Sequence, residues 1–249
     1  MTEWVPGKII KVKNWTDRLF SIILHAPISP FIAGQFAKLK LNINEKYIQR
    51  AYSYVNAPKD NNLEFYLVET KLGKFSPVLK SLNTGQKILI TKNSSGSFIL
   101  EMIPDCKNLW MIATGTAIGP YLSILQQGED LNRFEKIILI HAVRFYKDLS
   151  YVEKIYNLKK IYKNKLFVQL IVSREKTKNT LFGRIPELIN NGNLERSLKI
   201  YIDLKDTHVM LCGNPNMIHD TYSCLNKKFK MTKNYQNKVG NITSELYWK

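Results

Sequence analysis

A chain of 249 residues, 45% hydrophobic and 23% charged, can bury one large core or two ordinary ones, which excludes a disordered polypeptide. Cys106, Cys212 and Cys224 show no Cys-x-x-Cys spacing and His25, His141, His208 and His219 are scattered, which argues against a disulfide framework, an iron–sulfur cluster held by this chain or a bound metal. The formal charge of +17 suits an acidic partner, yet only seven of the 37 basic residues are arginines, and the lysine excess beside abundant asparagine and isoleucine is what AT-rich coding produces.

The first residues, Met1 to Lys8, hold no apolar run of the signal-peptide kind. From Trp4 to about Leu100, short strand patterns alternate with turn residues: Gly7–Asn14, Leu19–His25, Phe36–Leu41, Gln49–Val55, Leu63–Val68 and Gln86–Lys92. Six strands at this spacing predict a closed or nearly closed antiparallel β-barrel, with one short helix over Ser76–Leu82. After Pro104 the pattern changes to compact apolar runs, Leu109–Ala113, Lys136–His141, Leu166–Val172 and His208–Cys212, of the kind buried on both faces of a parallel sheet. Helices are expected over Tyr151–Lys160 and Met217–Phe229, and Asp148 reads as a helix start. The most apolar stretch, Leu109 to Leu125, is broken by Gly115, Gly119 and Pro120 and falls short of the about 20 residues of a bilayer span. The expectation is a soluble, cytoplasmic, two-domain protein, residues 1–101 a β-barrel and residues 102–249 a doubly wound α/β domain, with ligands at the carboxyl ends of its strands.

Chemistry concentrates in a few stretches. In Arg50-Ala51-Tyr52-Ser53, strand alternation puts Arg50 and Tyr52 on one face and Ala51 and Ser53 on the other. A guanidinium clamps a pyrophosphate through two parallel bonds, a tyrosine ring lies against a flat heteroaromatic, and a serine hydroxyl bonds a ring nitrogen; a flavin dinucleotide needs all three. Gly115-Thr116-Ala117-Ile118-Gly119-Pro120 directly follows the first apolar strand, where glycines let the backbone approach a phosphate and Pro120 suits the start of a helix. It is not the Gly-x-Gly-x-x-Gly fingerprint, and a tight structural turn is the alternative.

An NAD-binding unit places an acidic residue after its second strand, whereas a 2′-phosphate calls for arginine. Here Arg144 follows the second strand, Arg174 the third, and Arg184 comes in the next loop, three of seven arginines near one expected ligand edge; their placement argues for NADP(H). Cys212-Gly213-Asn214-Pro215 makes a sharp strand-to-helix turn, with Cys212 expected to face the crevice, and the chain closes Glu245-Leu246-Tyr247-Trp248-Lys249, two aromatics suited to stacking on a planar cofactor.

These four motifs, in this order and across essentially the whole chain, resemble those of the bacterial ferredoxin (flavodoxin)–NADP⁺ reductases. The resemblance implies non-covalent FAD in the barrel domain and NADP(H) as substrate on the α/β domain, whose aromatic tail returns to the flavin. It assigns Arg50, Ala51, Tyr52 and Ser53 to FAD, with Tyr66, Leu67, Val68, Glu69, Lys74, Phe75, Ser76, Thr116, Tyr247 and Trp248. It assigns Val143, Arg144, Ser173, Arg174, Arg184, Asn214, Pro215, Asn216 and Asp220 to NADP. Ser53, Cys212 and Glu245 are the candidates for positioning and proton supply where nicotinamide C4 meets flavin N5, about 3 to 3.5 Å apart in near-attack geometry. Lys249 extends past the aromatic pair expected to end the chain, and Val143 places a branched residue beside Arg144; both depart from the family pattern.

The activity implied is electron transfer between NADP(H) and an acidic ferredoxin or flavodoxin, by a monomer that binds neither nucleic acid nor membrane. A second reading keeps the fold but makes the chain a reductase component that serves an oxygenase or reduces free flavin; the Tyr-Trp ending and the absence of cluster-binding cysteines favour the standalone ferredoxin reductase. Nucleic-acid binding would explain the charge but leaves the glycine turns and arginine placement unexplained.

Overall fold

The computed structural model describes residues 2–70 and 72–247. Two compact units emerge, Met1–Ile99 with Gly119–Gly128, and Leu100–Ile118 with Glu129–Lys249.

The first unit is a six-stranded antiparallel sheet: β1 (Trp4–Asn14), β2 (Leu19–His25), β3 (Phe36–Ile43), β4 (Lys46–Ser53), β5 (Leu63–Val68) and β6 (Lys87–Thr91), in the order β4-β3-β6-β1-β2-β5. The two edges meet just beyond β4, where Tyr54 bridges Phe65 and the Val55 amide donates to the Glu64 carbonyl at 2.9 Å, so the sheet closes as expected. Period-two alternation turns Phe20, Ile22, Leu24, Ala37, Leu39, Leu63, Phe65, Leu67, Ile88 and Ile90 inward to one core. Each fully buried large aliphatic or Phe in it stabilises the unit by about 1.5 to 3 kcal/mol. The helix α1 (Ser76–Lys80) is slightly shorter than expected. The helix α2 (Gly119–Gln127) packs with this unit: Ser123 Oγ donates to the Asn56 carbonyl and Gln126 Nε2 to the Val55 carbonyl, both at 2.6 Å.

The second unit is a parallel sheet of β7 (Asn108–Thr114), β8 (Lys136–Val143), β9 (Leu166–Val172), β10 (Leu181–Phe182), β11 (Thr207–Gly213) and β12 (Ile242–Leu246), ordered β10-β9-β8-β7-β11-β12. Helices α3 (Val152–Tyr162), α4 (Ile185–Asn190), α5 (Asn193–Leu198) and α6 (Pro215–Phe229) complete it. Trp110, Ile140, Ile171 and Leu211 pack with Leu188 of α4, Leu194 of α5 and Leu225 of α6. Leu170 and Val172, flanking Ile171 and hence on the opposite face, pack with Leu149 and with Val152 of α3, so helices cover both faces. The strand order reverses between β7 and β11, the switch point at which such sheets bind ligands.

The four expected strands are therefore joined by β10 and β12 at the edges, and α4 and α5 were not anticipated. Asp148 is not a helix start: it closes a 3₁₀ turn over Tyr146–Asp148, accepting from the Phe145 amide at 3.4 Å, and α3 begins only at Val152. Among the described residues no helix is long and apolar enough to cross a membrane, and no three His, Cys, Asp or Glu side chains cluster as metal ligands would.

Candidate functional site

In the first unit, Arg50, Ala51, Tyr52 and Ser53 end β4 opposite Leu39, Lys38, Ala37 and Phe36. Directly opposed residues share a face, so Arg50 and Tyr52 lie on the side of the core residues Leu39 and Ala37. Among the described residues the exposed Arg50 guanidinium makes one hydrogen bond, Nη1 to the Gln49 carbonyl at 2.7 Å, and has no carboxylate within 4 Å, which leaves most of its five donors for a ligand. The half-buried Tyr52 ring lies nearly parallel to Phe75, centroids 6.3 Å apart at 13°. Burial pushes the Tyr52 phenol up to about 12 against the opposing pull of Arg50, so it stays neutral. Ser53 is buried, and no hydrogen bond of its hydroxyl occurs among the described residues.

On β5, Tyr66 and Leu67 are buried and Val68 half-buried, and beyond the Tyr54–Phe65 bridge no strand pairs with the outer edge of Leu67-Val68 among the described residues. The Glu69 carboxylate is taken by Lys80 at 2.6 Å, and Lys80 also donates to the Asp17 carbonyl, so Glu69 offers its main chain rather than its charge. The loop beyond is closed by the Gly73 amide donating to the Thr70 carbonyl at 2.7 Å and by the Thr70 amide donating to Ser76 Oγ at 2.9 Å, with Lys74 exposed. A donor-rich guanidinium, an unpaired strand edge and a flat ring fit the phosphates and the ring system of FAD.

In the second unit the strand ends carry the remaining residues. Gly115 has φ +56° and opens a 3₁₀ turn to Ile118 that leads into α2, with Thr116 buried. The Gly115 carbonyl accepts from His141 Nε2 at 3.0 Å, and Nδ1 of this fully buried imidazole has no partner among the described residues. Burial lowers His141 to about 4, so the ring is neutral, and because the Gly115 carbonyl can only accept, the proton sits on Nε2. Gly213 has φ +139°, and a Cβ there would lie 2.1 Å from Thr114 Oγ1, the atom that accepts from the Asn214 amide at 2.9 Å. Glycine is required at this crossing of β7 and β11. Asn214 caps α6, its Oδ1 accepting from the Asn216 and Met217 amides at 2.8 and 3.3 Å, with Pro215 in the first turn. Asp220, exposed, meets the ring of the neighbouring His219 at 3.2 Å.

Cys212 and Glu245 stand directly opposite in the β11–β12 register. Cys212 is fully buried, and burial with the Glu245 charge pushes its thiol well above the ordinary range. Burial raises the Glu245 carboxyl to about 7. Cys212 therefore stays a thiol at neutral pH, while Glu245 keeps its proton below about pH 7 and gives it up above. The Tyr247 hydroxyl donates to the Thr116 carbonyl at 3.2 Å, tying the tail to the glycine turn; Trp248 lies outside the described residues.

At the ends of β8 and β9, Val143 is buried and its carbonyl accepts from the Ser173 amide at 3.0 Å and from Ser173 Oγ at 3.2 Å. The Arg174 amide donates to the Arg144 carbonyl at 3.0 Å, so two arginines leave adjacent strand ends. Arg184 precedes α4. All three guanidiniums are exposed, and among the described residues none has a carboxylate within 4 Å. Two neighbours without a motif of their own adjoin them: Phe145, whose ring centroid is 5.9 Å from Arg174 Cζ, and Glu175, which accepts from the Tyr146 amide at 2.5 Å. One acidic residue inside an arginine cluster was the signal available.

A model of the oxidoreductase FAD-binding domain matches residues 10–99, and one of the oxidoreductase NAD-binding domain matches residues 111–223. The flavodoxin/ferredoxin–NADP reductases of Escherichia coli strain K12 and of Buchnera aphidicola subsp. Baizongia pistaciae are 50% and 51% identical to this chain, with 100% of both chains covered in each case. The chain belongs to the flavodoxin/ferredoxin–NADP reductase family. A family member from Neisseria gonorrhoeae, a ferredoxin NADP⁺ reductase solved with bound FAD and NADP, matches at a TM-score of 0.93 and 32% identity over 100% of both chains. The family accounts for both halves of the chain, an antiparallel FAD-binding sheet followed by a parallel NAD-binding sheet.

Proposed function

We propose that the chain transfers electrons between NADP(H) and a ferredoxin or flavodoxin, as a cytoplasmic, monomeric flavoenzyme with residues 1–101 serving FAD and residues 102–249 serving NADP(H). FAD, when bound, would supply the chemistry no side chain here provides, exchange of a hydride with the nicotinamide and of single electrons with the carrier. The protein's own part is binding, orientation and proton control. Arg50 holds the pyrophosphate, Tyr52 and Tyr247 lie on cofactor rings with Trp248, and Ser53 offers its hydroxyl near N5. The backbone of Leu67-Val68-Glu69, with Tyr66, and the loop Lys74-Phe75-Ser76 complete the flavin contacts, with Ala51 and Thr116.

Arg144, Arg174 and Arg184 receive the 2′-phosphate, while Val143, Ser173, Asn214, Pro215, Asn216 and Asp220 shape the rest of the nucleotide site. Cys212 and Glu245 orient the nicotinamide and hold protons beside it. The observation that carries the choice of NADP(H) is three guanidiniums with no carboxylate within 4 Å among the described residues, following the ends of β8, β9 and β10. A 2′-phosphate satisfies such a set, whereas a bare ribose would leave it uncompensated.

The excess positive charge suits an acidic electron carrier rather than nucleic acid or lipid. The test is NADPH-driven reduction of a purified ferredoxin and a purified flavodoxin. Turnover with at least one carrier, slowing as salt rises, is expected; turnover of free flavin alone would favour a flavin reductase instead.

A further inference from the structure

Glu175 is the acidic residue in the run Arg174-Glu175-Lys176, and Arg144 leaves the neighbouring strand end. A carboxylate in such company ordinarily pairs with a cation. Among the described residues it pairs with none: no basic nitrogen lies within 4 Å of it, and Oε1 instead accepts from the Tyr146 amide at 2.5 Å.

The reason lies in the turn after β8. Tyr146 is the first residue of the 3₁₀ turn Tyr146–Asp148, and an amide in a helix's first turn has no acceptor within it. Asp148 supplies one for Phe145, and Glu175, arriving from the next strand, supplies one for Tyr146. With Ser173 N–H to Val143 and Arg174 N–H to Arg144, this makes a third rung of cross-linking past the ends of the parallel strands. The rungs fix the backbones from which Arg144 and Arg174 project, and they hold Phe145 within 5.9 Å of the Arg174 guanidinium.

We infer that Glu175 is a positioning residue for NADP(H) specificity: its carboxylate latches the turn after β8 to that after β9, setting the spacing of Arg144 and Arg174 while leaving both free for a 2′-phosphate. This rests on the NADP(H) reading above. The latch acts through an acceptor atom and not through charge, and the two contributions oppose each other. Removing a negative charge near an anion site strengthens anion binding in general, whereas removing the acceptor loosens the two arginines.

The test uses the purified holoenzyme at fixed ionic strength with 2′,5′-ADP and 5′-ADP as probes, measured by calorimetry in the unmodified protein, Glu175→Gln and Glu175→Ala. The glutamine retains a carbonyl acceptor without charge, so Glu175→Gln binds 2′,5′-ADP as tightly as the unmodified protein or more tightly. Glu175→Ala binds it about threefold to tenfold more weakly, with 5′-ADP little changed. Exchange of the Tyr146 amide quickens in the alanine variant alone. Equal or tighter 2′,5′-ADP binding by Glu175→Ala than by Glu175→Gln overturns the latch while leaving the NADP(H) reading intact. An unmodified protein that fails to prefer 2′,5′-ADP over 5′-ADP overturns that reading and the inference with it.

Discussion

The imidazole of His141 donates through Nε2 to the Gly115 carbonyl at 3.0 Å, so a fully buried neutral ring on β8 anchors the glycine turn after β7. His208, also buried, meets Thr243 Oγ1 through Nε2 at 2.9 Å and is likewise lowered to about 4, by burial first and by Arg133 second. Both rings stay neutral in the folded state while those of the unfolded chain protonate from about 6.5 downward. The unfolded state thus binds more protons, and stability falls as pH drops from about 6.5 to about 4, by on the order of 3 kcal/mol per histidine. Thermal melts across that range are expected to show the slope, and His141→Gln, which keeps a donor for Gly115, to reduce it by about half, leaving the His208 contribution.

Glu245 has the opposite sign. Its carboxyl, raised to about 7 by burial, is protonated when folded and ionised when unfolded between about 4.5 and 7, so the stability it adds at low pH is lost as pH rises through 7. Glu245→Gln is expected to melt higher than the unmodified protein at pH 8, by about 2 kcal/mol allowing for its partial exposure, and equally at pH 4.5. The same variant should remove an inflection near pH 7 from the rate of flavin reduction by NADPH in stopped flow; an unchanged inflection would assign that proton elsewhere.

On the proposed assignment, Arg174→Glu removes one 2′-phosphate partner and adds repulsion. The expected outcome is a KM for NADPH raised about tenfold or more with that for NADH changed far less. Equal losses for both nucleotides would count against the arginine set.

Gly213→Ala drives a methyl into Thr114 Oγ1 and strains a backbone at φ +139°. A loss of about 2 kcal/mol or more is expected in denaturant unfolding, because the threonine must abandon the Asn214 amide.

Much of this was legible because strong local signals agreed with the fold. The inward residues of the barrel alternate with period two, and β7, β8 and β11 are almost continuously apolar, so both sheets could be read directly. The missing elements are those whose pattern is local to a few residues or set by tertiary contact. β10 is only two residues, Leu181-Phe182, and β12, Ile-Thr-Ser-Glu-Leu, becomes a strand by pairing with β11. Helix α2 reads as the ordinary crossover after β7, and nothing in its sequence tells that Ser123 and Gln126 bond the Asn56 and Val55 carbonyls.

In the candidate site, residue types chosen for chemistry, such as Arg50, Arg144 and Arg174, stood out against a lysine-rich background. His141 and Glu175 did not, because their roles depend on which main-chain atom they reach. Asp148 was misplaced by one turn for the same reason: its acceptor serves the Phe145 amide of a 3₁₀ turn rather than the first turn of α3.

The most direct measurement is the absorption spectrum of the purified protein during anaerobic titration with pyridine nucleotide. Bands near about 380 and 450 nm that bleach with stoichiometric NADPH, and much more slowly with NADH, are predicted. A protein that stays colourless after incubation with FAD, or one bleached equally fast by NADH, would contradict the account.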